Sequence, residues 1–176
     1  MEIGAYAPDF ELPSTGGDVV HLTKCLAKYT AVVVVFMCNH CPYVKAYKDR
    51  LIALQRDFAE RGVLFVGINA NDEEKYPEDG FEKMKAYGAE WGLNFPYLRD
   101  RTQDVAEAFG ARCTPEPFLL DRQGILRYRG RIDDNYSNPD AVTRQDLREA
   151  IEAVLGDREL TQPVEPAIGC SVKWFA

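Results

Sequence analysis

The sequence predicts an α/β fold in which a central sheet combines parallel and antiparallel strands. Residues 31–36 are apolar throughout and rich in valine, as in a central strand that is buried on both faces. An amphipathic stretch follows, and residues 63–68 then form a second apolar run, an order that predicts a right-handed parallel crossover. Residues 118–121 and 125–131 flank a short turn that contains Gly124 and predict an antiparallel hairpin.

The chain is long enough for one domain with a sizeable core. Its 176 residues are 46% hydrophobic and 28% charged, as in an ordinary soluble globular protein, and no internal repeat is visible. We expect one domain over residues 1–156 and an extended C-terminal tail over residues 157–176, which carries Pro163 and Pro166.

Charge and hydropathy exclude two classes of partner. The formal net charge of -7 argues against nucleic acid, because binding to a phosphate backbone needs clustered Lys and Arg. The longest apolar run, residues 31–37, is too short to cross a bilayer, and the start of the chain lacks a basic segment followed by an apolar one. We therefore predict a cytoplasmic protein with no membrane partner, and the sequence makes no prediction of its oligomeric state.

At the N-terminal end, a small β-hairpin and a short helix are expected. Residues 10–12 and 19–22 flank a turn that contains glycine, as in a hairpin. Thr23 is then expected to cap a helix that continues to Lys28.

Further helices are predicted where apolar residues recur at helical spacing. The first covers residues 38–61 and ends at Gly62. Residues 69–80 are polar and acidic, and we interpret them as a solvated loop. Other predicted helices cover residues 81–91, residues 102–109, and a last segment with its buried side formed by Leu147, Ile151, Val154 and Leu155.

Two cysteines, Cys38 and Cys41, lie where the buried strand passes into the first long helix. The start of a helix leaves backbone N–H groups unpaired and carries partial positive charge, and both favour a thiolate. We therefore expect Cys38 to be exposed and to be the better nucleophile. Cys41, one helical turn later, is close enough to form a disulfide with it. In a reducing cytosol such a pair indicates catalysis or metal binding.

The chain resembles the thioredoxin superfamily over about residues 10–155, because Thr114 and Pro115 come just before the predicted hairpin and the Cys-x-x-Cys motif lies at a strand-to-helix turn. The order of elements is similar to a thioredoxin fold with an N-terminal β-hairpin extension and an inserted helix. More narrowly, the chain resembles the thioredoxin-like branch of the peroxiredoxin-like alkyl hydroperoxide reductase and thiol-specific antioxidant (AhpC/TSA) family. Residues 7–12, 38–44, 113–115 and 169–174 carry this second likeness.

The resemblance implies a thiol-disulfide oxidoreductase with an antioxidant role and no bound cofactor or metal. Its partners would be a disulfide-containing substrate and a thiol reductant. Cys38 would attack the substrate disulfide, and Cys41 would resolve the mixed disulfide. Thr114 and Pro115 would form a cis peptide, and the backbone of Thr114 would bind an incoming peptide.

Between the cysteines, Asn39 and His40 are expected to tune the pair, with His40 stabilising the Cys38 thiolate. One departure from the thioredoxin pattern leaves the base of the resolving step unassigned: Val32 stands where thioredoxins carry a buried aspartate.

A thiol peroxidase that reduces hydroperoxides through Cys41 or Cys38 is a second hypothesis. It is the weaker interpretation, because aligning the peroxiredoxin motif on Cys41 places Val34 at its proline and Cys38 at its threonine. Aligning the arginine strand of that family on residues 118–121 places Pro115 where the arginine should be.

Each of the two remaining thiols of interest has more than one interpretation. Cys113, with Cys38, Cys41 and His40, could complete a soft site in a Cu(I) or zinc carrier. Alternatively, Cys113 is an additional redox thiol or a small buried filler. Cys170 either folds back to a distant thiol or lies on a tail that is held by its terminal aromatic residues.

Overall fold

The structure is a computed structural model, and it describes residues 1–175. Strands β1 (Glu11–Pro13) and β2 (Val19–His21) pair antiparallel, so the predicted N-terminal hairpin is confirmed. Helix α1 (Leu22–Lys28) follows at once, with His21 at its N-cap position. The prediction that Thr23 caps this helix is wrong, because the helix already begins one residue earlier.

The five-stranded central sheet has the order β5-β4-β3-β7-β8. Strand β3 lies in its middle, parallel to β4 and antiparallel to β7. The predicted parallel crossover and the predicted hairpin are therefore confirmed. The strands are β3 (Ala31–Phe36), β4 (Val63–Asn69), β5 (Tyr97–Arg99), β7 (Glu116–Leu120) and β8 (Leu126–Arg129), and the two-residue strand β6 (Cys113–Thr114) precedes β7.

Helix α2 (Pro42–Phe58) connects β3 to β4, and a single 3-10 turn (Ala59–Arg61) completes it before Gly62. The start predicted at residue 38 is wrong, because residues 38–41 form the turn before the helix. Gly62 adopts φ of 81°, a left-handed conformation that ends the helical segment as expected. The other helices are α3 (Phe81–Trp91), α4 (Asp104–Phe109) and α5 (Asp146–Leu155), close to their predicted positions.

Side chains of β3 alternate between two apolar cores, one on each face of the sheet. Ala31, Val33 and Val35 pack in the core that contains α2 and α5. Their neighbours in the strand pack in the core that contains α1 and α4. Because both faces are covered, every β3 side chain is buried and the end of this strand is rigidly held.

Most of residues 157–175 have no regular secondary structure, but Cys170–Ser171 form strand β9, which pairs antiparallel with β6. The tail thus returns to the central part of the molecule. Among the described residues, no helix is both long enough and apolar enough to span a membrane.

Replacement of Phe118 by alanine is expected to lower the free energy of unfolding by about 3–5 kcal/mol. Phe118 is fully buried, and its ring contacts those of Phe36 and Phe109 at centroid distances of 5.6 and 5.4 Å. Urea denaturation measures the change. The matched control, Ile3→Ala, alters a side chain that is 57% exposed and should change stability by less than about 0.5 kcal/mol. Equal losses in the two variants would contradict this description of the core.

Candidate active site

The two cysteines of the Cys-x-x-Cys motif occupy different structural positions. Cys38 lies in the turn just after β3, whereas Cys41 is the N-cap residue of α2, with Pro42 at the first helical position. Both side chains are buried, with Cys38 only 1% exposed. The expectation of a solvent-exposed Cys38 is therefore wrong, and the helix terminus favours a thiolate at Cys41 instead.

The hydrogen bonds around the pair favour the same order of acidity. The pKa of Cys41 is lowered from 9.0 to about 4, mainly because the Cys38 thiol donates a hydrogen bond to its sulfur. Burial opposes the shift, while the Cys170 thiol and the backbone N–H groups of Val44 and Cys170 add to it. The Cys41 thiol, when protonated, donates to the carbonyl oxygen of Thr114 at 3.5 Å, a contact that opposes the thiolate.

Cys38 is the protonated partner. Its pKa is raised because its proton is held by the Cys41 sulfur, and burial and the negative charge of Asp79 act in the same direction. The hydroxyl of Thr114, 3.4 Å from the Cys38 sulfur, acts in the opposite direction. These shifts favour a proton on Cys38 and a negative charge on Cys41.

A buried carboxylate, Asp79, anchors the turn between the cysteines. It is fully buried and accepts the backbone N–H of Asn39 at 2.7 Å and the side-chain amides of Asn69 and Asn71 at 3.2 and 3.1 Å. His40 Nδ1 lies 2.6 Å from its second oxygen. Interpreting this acidic segment as a solvated loop is therefore wrong for Asp79.

His40 and Asn39 are both held in place by specific contacts. His40 pairs with Asp79 and stacks on Tyr76 at a centroid distance of 5.3 Å, so a buried negative charge lies beside its imidazole. A ring nitrogen of His40 also lies within 4.8 Å of the Cys38 sulfur, so the expected stabilisation of a Cys38 thiolate by His40 stays a prediction. Asn39 donates to the Glu78 carbonyl and accepts from the Tyr97 hydroxyl, each at 2.7 Å, which fixes the turn.

The peptide bond between Thr114 and Pro115 is cis, as the sequence predicted. It brings Thr114 against both cysteines, with the hydroxyl facing Cys38 and the carbonyl facing Cys41. The backbone of Thr114 is already paired, because Cys170 is its partner in the β6–β9 ladder. The sequence did not predict this pairing.

The two further thiols behave differently. Cys170 lies beside Cys41, and its pKa is raised to about 11 by burial and then by its interaction with Cys41. Of the two interpretations of the tail, folding back to a distant thiol is therefore the one observed, while Trp174 and Phe175 are 42% and 51% exposed. Cys113 is half-buried, and burial raises its pKa to about 12.

A metal site of the expected composition does not form among residues 1–175. The ligand atoms of Cys38, His40 and Asp79 lie within 4.8 Å of one another and are the group that could hold an ion. Cys113 is not a member of that group, and its sulfur faces the Ala167 carbonyl at 3.8 Å. Asp79 already accepts several hydrogen bonds, and these contacts account for the position of its carboxylate without a metal ion.

Comparison with known proteins adds to this geometry. A model of the AhpC/TSA family matches residues 3–129. A curated relative, the thiol-disulfide oxidoreductase ResA of Halalkalibacterium halodurans, is 26% identical over 123 residues, which are 70% of this chain and 65% of that protein. The match thus spans slightly under two thirds of the relative.

Solved structures show the same fold. A hypothetical protein from Sinorhizobium meliloti superposes with a TM-score of 0.93 at 40% identity, covering 100% of this chain and 96% of that one. A thiol:disulfide interchange protein of the thioredoxin family from Chlorobium tepidum superposes with a TM-score of 0.68 at 20% identity, covering 89% and 99%. The predicted thioredoxin fold is therefore confirmed.

In the reduced protein, we expect one thiolate to persist well below pH 9 and to belong to Cys41, because its thiolate accepts hydrogen bonds from neighbouring thiol and N–H groups. A pH titration of thiolate absorbance in the ultraviolet should lose this signal in Cys41→Ser. In Cys38→Ala the same signal should titrate at higher pH, because the thiol that donates to Cys41 is gone. A thiolate that persists unchanged in Cys41→Ser would contradict the assignment.

The same pKa shift predicts how stability depends on pH. The folded-state pKa of Cys41 is below its unfolded value, so its contribution to stability is complete above pH 9 and is lost as pH falls toward about 4. The difference in unfolding free energy between the parent protein and Cys41→Ser should therefore rise from roughly pH 5 to pH 8. Urea denaturation at a series of pH values measures it, with Cys25→Ser as the control; a flat difference would contradict the shift.

Replacement of Asp79 by asparagine should lower the free energy of unfolding by about 2 kcal/mol or more, since hydrogen bonds to a buried charge are lost. The same variant should lower the pKa of Cys38, because the charge of Asp79 raises it. Asp72→Asn, which alters a neighbouring buried carboxylate, is the matched control for the pKa effect. If the titration of Cys38 were equally altered in both variants, Asp79 would not be the group that acts on it.

Proposed function

The chain belongs to the AhpC/TSA family, and we propose that it is a thiol-disulfide oxidoreductase in which Cys38 and Cys41 alternate between a dithiol and a disulfide. The observation that carries this is the pair of buried cysteines at a helix N-terminus and against a cis-proline turn. The name of the relative ResA, a thiol-disulfide oxidoreductase, supports the same activity.

In the proposed cycle, the Cys41 thiolate attacks one sulfur of a substrate disulfide. That disulfide breaks, a mixed disulfide to Cys41 forms, and the second substrate sulfur leaves as a thiolate that takes up a proton. Cys38 then gives up its proton and attacks the Cys41 sulfur, which releases the first substrate sulfur. Two electrons pass to the substrate, and a thiol reductant returns the Cys38–Cys41 disulfide to the dithiol by the same exchange.

These roles reverse the ones implied by the resemblance, in which Cys38 attacks and Cys41 resolves. The pKa of Cys41 is lowered and that of Cys38 is raised, which favours the negative charge on Cys41 in the reduced pair. The attacking species in thiol–disulfide exchange is the thiolate. Cys38 holds the proton and is well placed to act second. Asp79 and His40, within 4.8 Å of the Cys38 sulfur, are the groups we assign to accept that proton, the role that the sequence left unfilled.

The substrate is proposed to bind at the turn formed by Thr114 and Pro115. The backbone carbonyl of Thr114 lies beside the Cys41 sulfur, so a chain segment that pairs with this backbone would present a disulfide to Cys41. The cytoplasmic location and the antioxidant role expected from the sequence stay predictions, as does the identity of the thiol reductant.

Trapping experiments test the assignment of roles. With the resolving thiol absent, the mixed disulfide should accumulate, so Cys38→Ser should retain a bound substrate thiol on Cys41 whereas Cys41→Ser should not. Mass spectrometry after incubation with a small disulfide measures this, and Cys25→Ser is the control for non-specific modification. Trapping in Cys41→Ser alone would restore the order implied by the resemblance.

A thiol peroxidase remains the second candidate because a thiolate at Cys41 is also the species that a hydroperoxide would oxidise. An assay with hydrogen peroxide and an assay with insulin disulfides, run on the same sample, separate the two activities. Rapid reduction of insulin disulfides with peroxide consumption no faster than that of a free thiol supports the oxidoreductase. The opposite pair of rates supports the peroxidase.

A further inference from the structure

The C-terminal tail is bound across the site along a defined path. In the ladder between β6 and β9, Thr114 pairs with Cys170 and Cys113 pairs with Ser171. Val172 follows, and its side chain is buried while its N–H donates to the Arg112 carbonyl at 3.1 Å. An antiparallel strand therefore already occupies the backbone edge at which a substrate segment is proposed to bind.

The next residue of the tail, Lys173, is fixed by its backbone. Its N–H donates to Asn71 Oδ1 at 3.0 Å, and its carbonyl accepts from the Asp72 N–H at 2.8 Å and from Gln103 Nε2 at 2.9 Å. Asn71 also donates to Asp79, so the bound tail and the cysteine turn share one hydrogen-bond network.

Gly169 allows the close approach that seats the tail. A Cβ atom at this position would lie 2.1 Å from the Thr114 carbonyl oxygen and 2.7 Å from the carbonyl carbon. Because both are backbone atoms beside Pro115, no side-chain movement could relieve such a contact. Glycine is therefore required at this point if β9 is to reach β6.

The position of the strand sets the position of the Cys170 thiol. Cys170 is the ladder partner of Thr114, whose carbonyl oxygen is 3.5 Å from the Cys41 sulfur. The half-buried side chain of Cys170 packs against the apolar core that contains Cys38 and Cys41. Three thiols thus meet at one turn, with Cys41 next to both others, whereas Cys113 in the same ladder faces away toward Ala167.

We propose that Cys170 is a third redox-active thiol, which the docked tail presents to Cys41 as an internal substrate, and that it exchanges with the Cys38–Cys41 disulfide to form a Cys41–Cys170 disulfide. The proposal rests on the function proposed above, because that function supplies the Cys38–Cys41 disulfide.

The exchange balances without another reactant. Cys170 loses its proton and attacks the Cys41 sulfur; the bond between Cys38 and Cys41 breaks, and the bond between Cys41 and Cys170 forms. Cys38 leaves as a thiolate and takes up a proton, so the number of thiols, disulfides and electrons is unchanged. The product ties the tail to the site and blocks the backbone edge of Thr114, whereas a reduced tail can be displaced by a substrate segment.

Disulfide mapping on the full chain tests the proposal. After mild oxidation by diamide and acid quenching, non-reducing peptide mapping of Cys38→Ser should show the Cys41–Cys170 disulfide as the main product, and no disulfide between Cys41 and Cys113. Absence of Cys41–Cys170 in this variant, when the parent protein forms Cys38–Cys41, would overturn the role of Cys170 and leave the proposed function intact. Absence of Cys38–Cys41 from the parent protein would instead overturn the proposed function.

Gly169→Ala separates a docked thiol from one that meets Cys41 by chance, because this substitution itself alters no cysteine. Combined with Cys38→Ser, it should slow formation of the Cys41–Cys170 disulfide by about tenfold or more, since an undocked tail reaches Cys41 only at the effective concentration of a flexible segment. Gly156→Ala is the matched control. Gly156 directly precedes the tail, and a Cβ atom there would meet Glu152 and Arg158 rather than Thr114. An unchanged rate in Gly169→Ala would show that docking does not present the thiol.

Discussion

The site depends on the buried carboxylate of Asp79. This group accepts hydrogen bonds from the cysteine turn through Asn39, from the end of β4 through Asn69, and from Asn71, two residues beyond that strand. A fully buried charge is tolerated only when such donors surround it, so the three segments cannot separate without a large penalty. The turn between the cysteines is therefore rigid, and it holds the Cys38 and Cys41 sulfurs next to each other.

Much of the fold follows from local pattern. The valine run of β3 needs an apolar cover on both faces, and that requirement alone indicates a central strand with helices or hairpins on each side. Short elements were harder to predict. Strand β5 has three residues, Tyr97–Arg99, and was missed because a pattern of period two is not visible over so few positions. Helix α1 begins earlier than predicted, because the chain passes from β2 into the helix without a cap residue between them.

The site was predicted in part. The spacing of Cys38 and Cys41 and the dipeptide of Thr114 and Pro115 are local signals, and both were found where expected. Which cysteine is the more acidic was not predicted correctly. That order depends on whether the helix begins before or after the motif, and Pro42 sets the residue at which it begins. Asp79 and Cys170 act on the pair from 38 and 129 residues further along the chain; no local pattern distinguishes a buried acid in an acidic loop, or a docked thiol in a tail, before the fold is known.

The path of the tail also gives its attachment a particular temperature dependence. Val172 packs in the core on one face of the sheet, whereas Cys170 contacts the core on the other, so the tail crosses the sheet end and detaching it exposes apolar surface. Hydration of that surface disfavours release more strongly as cold solution is warmed, while the freed chain gains conformational entropy at every temperature. The two contributions oppose each other. Attachment should consequently be tightest at an intermediate temperature, with loosening both on chilling and on strong heating.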